Sequence, residues 1–243
     1  MKTRTILFLS AIAIIFNVFS AAAEDKWIQY TDGQDVLAIA EEGDYLWIGT
    51  GGGLVKMNKT TGEKTFYNTY NSELPRNYIK AIAIDNQGNK WIVTNVGGVA
   101  KFDGTNWTVY NSGNTGLPHN YILSIAIDNQ GNKWFGTPNG IGKFDGTNWT
   151  VYNTKNSELP DNSVLSIAID SQDNIWFGTS DGVGKYDGEN WTVFNTENSG
   201  LPQKSVRSIS IDNQGNKWFG TWIGGVAKYD DENWTVYNTG NSG

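Results

Sequence analysis

From Tyr121 to Asp128 the chain reads YILSIAID, a nearly continuous apolar run of the kind expected for a strand buried on both faces. The polar stretch DNQGN follows. Its Asp and Asn side chains can bond their own backbone, and Gly131 can take a positive φ, so it predicts a tight connection. A second apolar run, KWFGT, predicts a second strand, whose glycine marks a place where a neighbouring sheet approaches closely. GIGKFD predicts a third strand, and DGTN at Asp145 to Asn148 a hairpin turn of the Asp-Gly type. WTVYN then forms the fourth and outermost strand.

The whole pattern recurs. Aligning the tryptophan of WIGT, WIVT and WFGT gives Trp47, Trp91, Trp134, Trp176 and Trp218, at spacings of 44, 43, 42 and 42 residues. Trp107, Trp149, Trp191 and Trp234 repeat with the same period, and Pro75, Pro118, Pro160 and Pro202 mark the boundaries between units. Four strands in about 42 residues describe a blade of a β-propeller, whereas leucine-rich, ankyrin and tetratricopeptide units are shorter and the last two are helical. The predicted fold is all-β: five complete four-stranded blades at about residues 31–69, 70–112, 113–154, 155–196 and 197–239.

One predicted strand has no seat in that count. KWIQY, Lys26 to Tyr30, reads as an outermost strand, yet the fifth unit already owns NWTVY at Asn233 to Tyr237. A truncated copy of a longer, seven-bladed propeller is the favoured explanation. A closed five-bladed ring with a spare strand, and an open arc that pairs with another chain through its edges, stay open.

The repeat resembles the two-component regulator propeller family. The resemblance rests on an innermost strand ending in Asp, a Gly-Asn turn, W-x-G-T, and a short glycine-led strand, as in SIAIDNQGNKWFGTPNGIGKFDG from Ser124 to Gly146. It recurs over essentially all of Trp27 to Asn238. Two units depart from it: AEEGDYLW replaces the Asp turn in the first, where the outer tryptophan is also replaced near Lys64, and Asp173 stands where the fourth should have glycine. The resemblance implies the extracytoplasmic sensing part of a hybrid histidine kinase responding to polysaccharide-derived ligands, or a secreted protein built of the same repeats. With no kinase or receiver segment after the repeats, the expectation is a sensor-like module without its output.

Composition narrows the setting. Lys2 and Arg4, the apolar run Ile6 to Phe19 and Ala21 to Ala23 read as a cleaved export signal over residues 1–23. That run has 14 residues, against the roughly 20 that a spanning helix needs; a retained anchor is the alternative. Export places the domain, residues 24–243, in the periplasm or outside the cell, with no membrane insertion after cleavage. No cysteine is present, so neither a disulfide nor an N-terminal lipidated cysteine is available. Without Lys2 and Arg4 the charge is 16 − 25 = −9, which disfavours nucleic acid and anionic lipid as partners.

Five near-identical turns cannot each be a catalytic centre, so Asp85, Asp128, Asp170 and Asp212 read as turn-forming carboxylates. Calcium would need more oxygen ligands than one such turn offers, and no metal or other cofactor is expected. The positions where copies disagree are the better candidates for ligand binding. Arg76, His119, Asp161 and Gln203 share one place in the inter-blade connections, with Tyr78 and Tyr121 nearby, on loops carried by a rigid scaffold. Trp222 is a further candidate: other units place Gly51, Asn95, Pro138 or Ser180 there, and an indole suits sugar rings or apolar partners. A carbohydrate ligand or a protein partner is expected, with self-association through open edges as a third form of contact.

No catalytic residue is expected. The mature chain has two arginines, Arg76 and Arg207, too few for a sialidase-like triad, a single histidine, and no G-x-S-x-G. A propeller lyase, or a glycoside hydrolase using two convergent carboxylates, is the enzymatic alternative; a structural or adhesive repeat protein is the other. NWT at Asn106, Asn148, Asn190 and Asn233 matches a glycosylation acceptor, but turn and strand needs explain it as well.

Overall fold

A computed structural model describes residues 35–241. The export signal expected over residues 1–23 and the strand expected at Lys26 to Tyr30 lie outside the described residues. Sheet one comprises β1 (Val36–Glu42), β2 (Tyr45–Thr50), β3 (Leu54–Asn58) and β4 (Lys64–Tyr67). Sheet two holds β5 (Ile79–Ile84), β6 (Lys90–Thr94), β7 (Gly98–Phe102) and β8 (Trp107–Tyr110). Sheet three follows with β9 (Ser124–Ile127), β10 (Lys133–Thr137), β11 (Gly140–Phe144) and β12 (Trp149–Tyr152). Sheet four contains β13 (Val164–Ile169), β14 (Ile175–Thr179), β15 (Gly182–Tyr186) and β16 (Trp191–Phe194). Sheet five ends the series with β17 (Val206–Ile211), β18 (Lys217–Thr221), β19 (Val226–Tyr229) and β20 (Trp234–Tyr237). Each sheet is an antiparallel meander with its strands in chain order, the five predicted blades.

Alternation along the strands sorts each sheet into two faces. One face presents the W-x-G-T tryptophan and the outer-strand aromatic; the other presents the residue after that tryptophan, the aromatic closing the third strand and the tryptophan opening the fourth. The first face packs on the second face of the next sheet. Trp134 and Tyr152 of sheet three thus meet Phe177, Tyr186 and Trp191 of sheet four. Trp176 and Phe194 meet Phe219, Tyr229 and Trp234 in the same way. Among the described residues the core is four such seams, joining consecutive sheets, and no core cluster joins sheet five to sheet one.

Close approach at the seams explains the W-x-G-T glycine. A Cβ on Gly136 would lie 2.8 Å from the Val164 carbonyl oxygen, and one on Gly178 would lie 2.8 Å from that of Val206. Gly220, on the face of sheet five without a seam, meets only Ser208 of its own sheet. The leucine of each L-P connection plugs the seam it crosses: Leu74, Leu117, Leu159 and Leu201 are buried.

The turn aspartates do more than close turns. Asp170 Oδ1 accepts the backbone N–H groups of Gln172 and Asn174, and its Oδ2 accepts Trp176 Nε1–H at 3.0 Å. Asp85, Asp128 and Asp212 bond Trp91, Trp134 and Trp218 alike, at 3.0, 2.8 and 2.9 Å. In sheet one Glu42 reaches Trp47 Nε1–H from a turn of different length. Asp173, in place of glycine, adopts φ 66°, a region that Asp tolerates, and its carboxylate accepts Asn129 N–H of sheet three.

Candidate functional site

Antiparallel order puts the connections between sheets and the loops between second and third strands at one end of every sheet, and the Asp turns and DGTN hairpins at the other. The first end, here the loop face, carries all seven residues singled out as binding candidates. The loops between second and third strands of sheets two, three and four are clasped by the next sheet: Gly98, Gly140 and Gly182 donate their N–H to the carbonyls of Asn120, Asn162 and Lys204. An Asp181–Lys204 ion pair at 3.0 Å spans the fourth seam.

Three of the variable residues share one bond despite unlike chemistry. His119 Nδ1 accepts Tyr121 N–H at 2.9 Å, Asp161 Oδ1 accepts Ser163 N–H at 2.8 Å, and Gln203 Oε1 accepts Ser205 N–H at 2.9 Å. Each side chain therefore caps the backbone that enters an innermost strand. Arg76 has no such acceptor, and its Cγ lies against Gly97 of the same sheet's loop. No hydrogen bond or ion pair among the described residues joins any two of Arg76, His119, Asp161 and Gln203.

The structure adds residues that sequence variation alone did not single out. A β-bulge in the innermost strand falls at Leu37, Lys80, Leu165 and Arg207 in sheets one, two, four and five, and such bulges re-aim a side chain. Lys80 Nζ lies 3.9 Å from the centre of the Tyr121 ring and donates to the Ile122 carbonyl. The Arg207 guanidinium lies 3.5 Å from the centre of the Trp222 ring, so one indole face is already covered. Trp222 is still 57% exposed, and Ile223 beside it 80%.

Sheets two and five share an enlarged loop, with three residues between Thr94 and Gly98 and between Thr221 and Gly225, against two between Thr137 and Gly140. The tips are Val96 and Ile223, both exposed, and Val96 adopts φ 58°. A β-branched residue in the left-handed region is strained, a condition that clusters at ligand clamps and switch segments. A one-residue difference in loop length was the sequence signal for these two positions.

The carboxylates found at the other end are engaged. Burial pushes the Asp85 carboxyl up, but donors from Trp91 and Asn89 outweigh it and hold it below the usual range. The Asn216 and Trp218 side-chain donors hold Asp212 well below that range. Among the described residues no group of His, Asp and Glu side chains is arranged to hold a metal, and no helix is long and apolar enough to cross a membrane.

No curated protein matches the chain in sequence. Residues 116–139 and 158–181 match the family described as two component regulator propeller. Among solved structures, the chain is similar to the extracellular domain assigned to the hybrid two component system BT3049 from B. thetaiotaomicron, at 27% identity and a TM-score of 0.74, over 85% of this chain and 29% of that one. It is similar in fold to virginiamycin B lyase from Staphylococcus aureus, at 19% identity and a TM-score of 0.67, over 86% of this chain and 71% of that one. PorZ, a surface component of the type-IX secretion system of Porphyromonas gingivalis, shares the fold at 20% identity and a TM-score of 0.63, over 86% of this chain and 34% of that one. The chain thus spans about a third or less of the two-component and PorZ chains. The two family matches take in the first two strands of sheets three and four.

Proposed function

We propose that this chain is an exported, non-enzymatic binding module whose loop face receives a carbohydrate or a protein partner, acting as the sensor part of a two-component regulator does. The observation that carries it is the half-exposed Trp222 indole, backed by Arg207 and flanked by Ile223, in a loop that the repeat does not require to be aromatic. An indole braced from behind by a guanidinium offers its other face to a sugar ring or an apolar side chain. Likeness to an extracellular two-component domain supports a sensing role and a periplasmic or secreted location.

Glycan-array and partner-capture screens of the mature chain, repeated with Trp222→Ala, test this reading. We expect at least one saturable ligand whose binding weakens about tenfold in the variant, the loss of roughly 1.4 kcal/mol that one stacked platform commonly supplies. An unchanged binding profile in the variant sinks the assignment of this face. Turnover of a polysaccharide that disappears with Asp161→Asn or His119→Ala would replace the binding role with a lyase or hydrolase.

A further inference from the structure

A cavity of about 350 Å³ opens at the opposite end of the sheets, in the seam between sheets two and three. Its inner wall is Trp91, Tyr110, Phe144 and Lys133, and its rim includes Lys101 and Asp145. The neighbouring seams carry different side chains at the equivalent positions. In the first, Glu42, longer than Asp85, takes Lys90 at 3.0 Å and reaches towards Gly88. In the third, Tyr186 stands where the second has Phe144, its hydroxyl bonds Gly188 and it interacts with Tyr152; Ile175 replaces the lysine. In the fourth, the Tyr229 hydroxyl bonds the Asp231 carbonyl, and Lys217 is held by both Asp231 oxygens.

Lys133 is the odd member of this series. Its side chain is only 10% exposed, yet among the described residues its ammonium reaches one acceptor, Asp85 Oδ2, at 3.4 Å, longer than a good charged hydrogen bond. An ammonium carries three donors, so a buried one with one long ion pair and the Trp91 ring face 5.0 Å away still has donors to spare at the cavity. The carboxylates beside it are already used. Asp85 Oδ2 takes Trp91 Nε1–H and Asn89 Nδ2–H, while its Oδ1 takes the backbone N–H of Gln87 and of Asn89. Asp145 Oδ1 takes the N–H of Thr147 and of Asn148. Tyr110, facing a phenylalanine where Tyr152 faces a tyrosine, adds an unmatched hydroxyl, and Lys101 a second ammonium.

At the inner wall the carboxylate oxygens are therefore engaged while ammonium donors are not, over an aromatic wall. We propose that this cleft binds a small organic carboxylate, its oxygens received by Lys133, Lys101 and the Tyr110 hydroxyl and its apolar body lying against Phe144. The site is distinct from the loop face and does not depend on the function proposed for it.

Benzoate is a suitable probe, with benzyl alcohol as its uncharged counterpart and sodium chloride as the ionic control. Calorimetric titration of the mature chain should give saturable benzoate binding, with a Kd on the order of a millimolar or below, typical of so small a ligand, and none for the two controls. Lys133→Ile and Phe144→Tyr each install what the third seam already carries, Ile175 and Tyr186, so both variants are expected to fold. Each should weaken benzoate at least tenfold, while Trp222→Ala leaves it unchanged. No saturation in the folded protein, equal response to benzyl alcohol or chloride, or full binding retained in both variants overturns the proposal.

Discussion

The side chain of Asp170 ties a turn to a core: two backbone N–H groups and the Trp176 indole converge on one carboxylate. Burial alone would raise its pKa, but the donors from Trp176, Asn174 and Gln172 prevail and lower it, as similar donors do for Asp85. A folded pKa below the unfolded value means that the stabilisation is complete above about pH 4 and is lost as pH falls through the folded value. The urea midpoint should therefore hold between pH 7 and pH 5 and drop near pH 3, and Asp170→Asn should shrink that drop; a midpoint unmoved by acid refutes this. Ser124 and Ser166 show the opposite situation, buried hydroxyls with no hydrogen-bond partner among the described residues. The equivalent residue of sheet two is Ala81, so Ser166→Ala should be neutral or stabilising by up to about 1 kcal/mol in urea denaturation. The shared backbone bond of His119, Asp161 and Gln203 was illegible for a related reason. Sequence displays their chemical differences, whereas an acceptor two residues from a backbone N–H exists only once the turn has formed.

At the scale of the element, the strand pattern and turn residues were readable because alternation, Asp-Gly hairpins and glycine at positive φ are local requirements. The seams add what one sheet cannot. Trp134 is 1% exposed, with Phe177 and Tyr186 of the next sheet against it, whereas among the described residues the equivalent Trp218 stacks only on Tyr237 of its own sheet and is partly exposed. Trp134→Ala should cost about 3–5 kcal/mol, as is usual for a fully buried aromatic, and Trp218→Ala clearly less. Equal losses in denaturation midpoint would contradict four seams as the core. The Val96 loop is strained rather than buried, so Val96→Asn should stabilise by about 1 kcal/mol by relieving the left-handed φ, a gain read as a higher Tm.

For the molecule as a whole, stability in a stack of repeats is a sum of neighbour interfaces. Among the described residues, sheets two to four have a seam on each face, and sheet five has one. Val226 and Tyr237 are 37% and 39% exposed, where Val183 in sheet four is fully buried. Amide hydrogen exchange should accordingly be faster in β17 to β20 than in β9 to β16, and uniform protection across the sheets would argue against it. The sequence by itself determined the repeat, its strands, its turn chemistry and its family resemblance, because each of these is written within some 42 residues and repeated. Only the tertiary structure decided which faces meet, that Arg207 backs Trp222, and that one seam leaves Lys133 beside open space. The first and the last of these depend on residues about a full repeat apart, whereas Arg207 meets Trp222 within one sheet, where a bulge in the innermost strand re-aims the arginine.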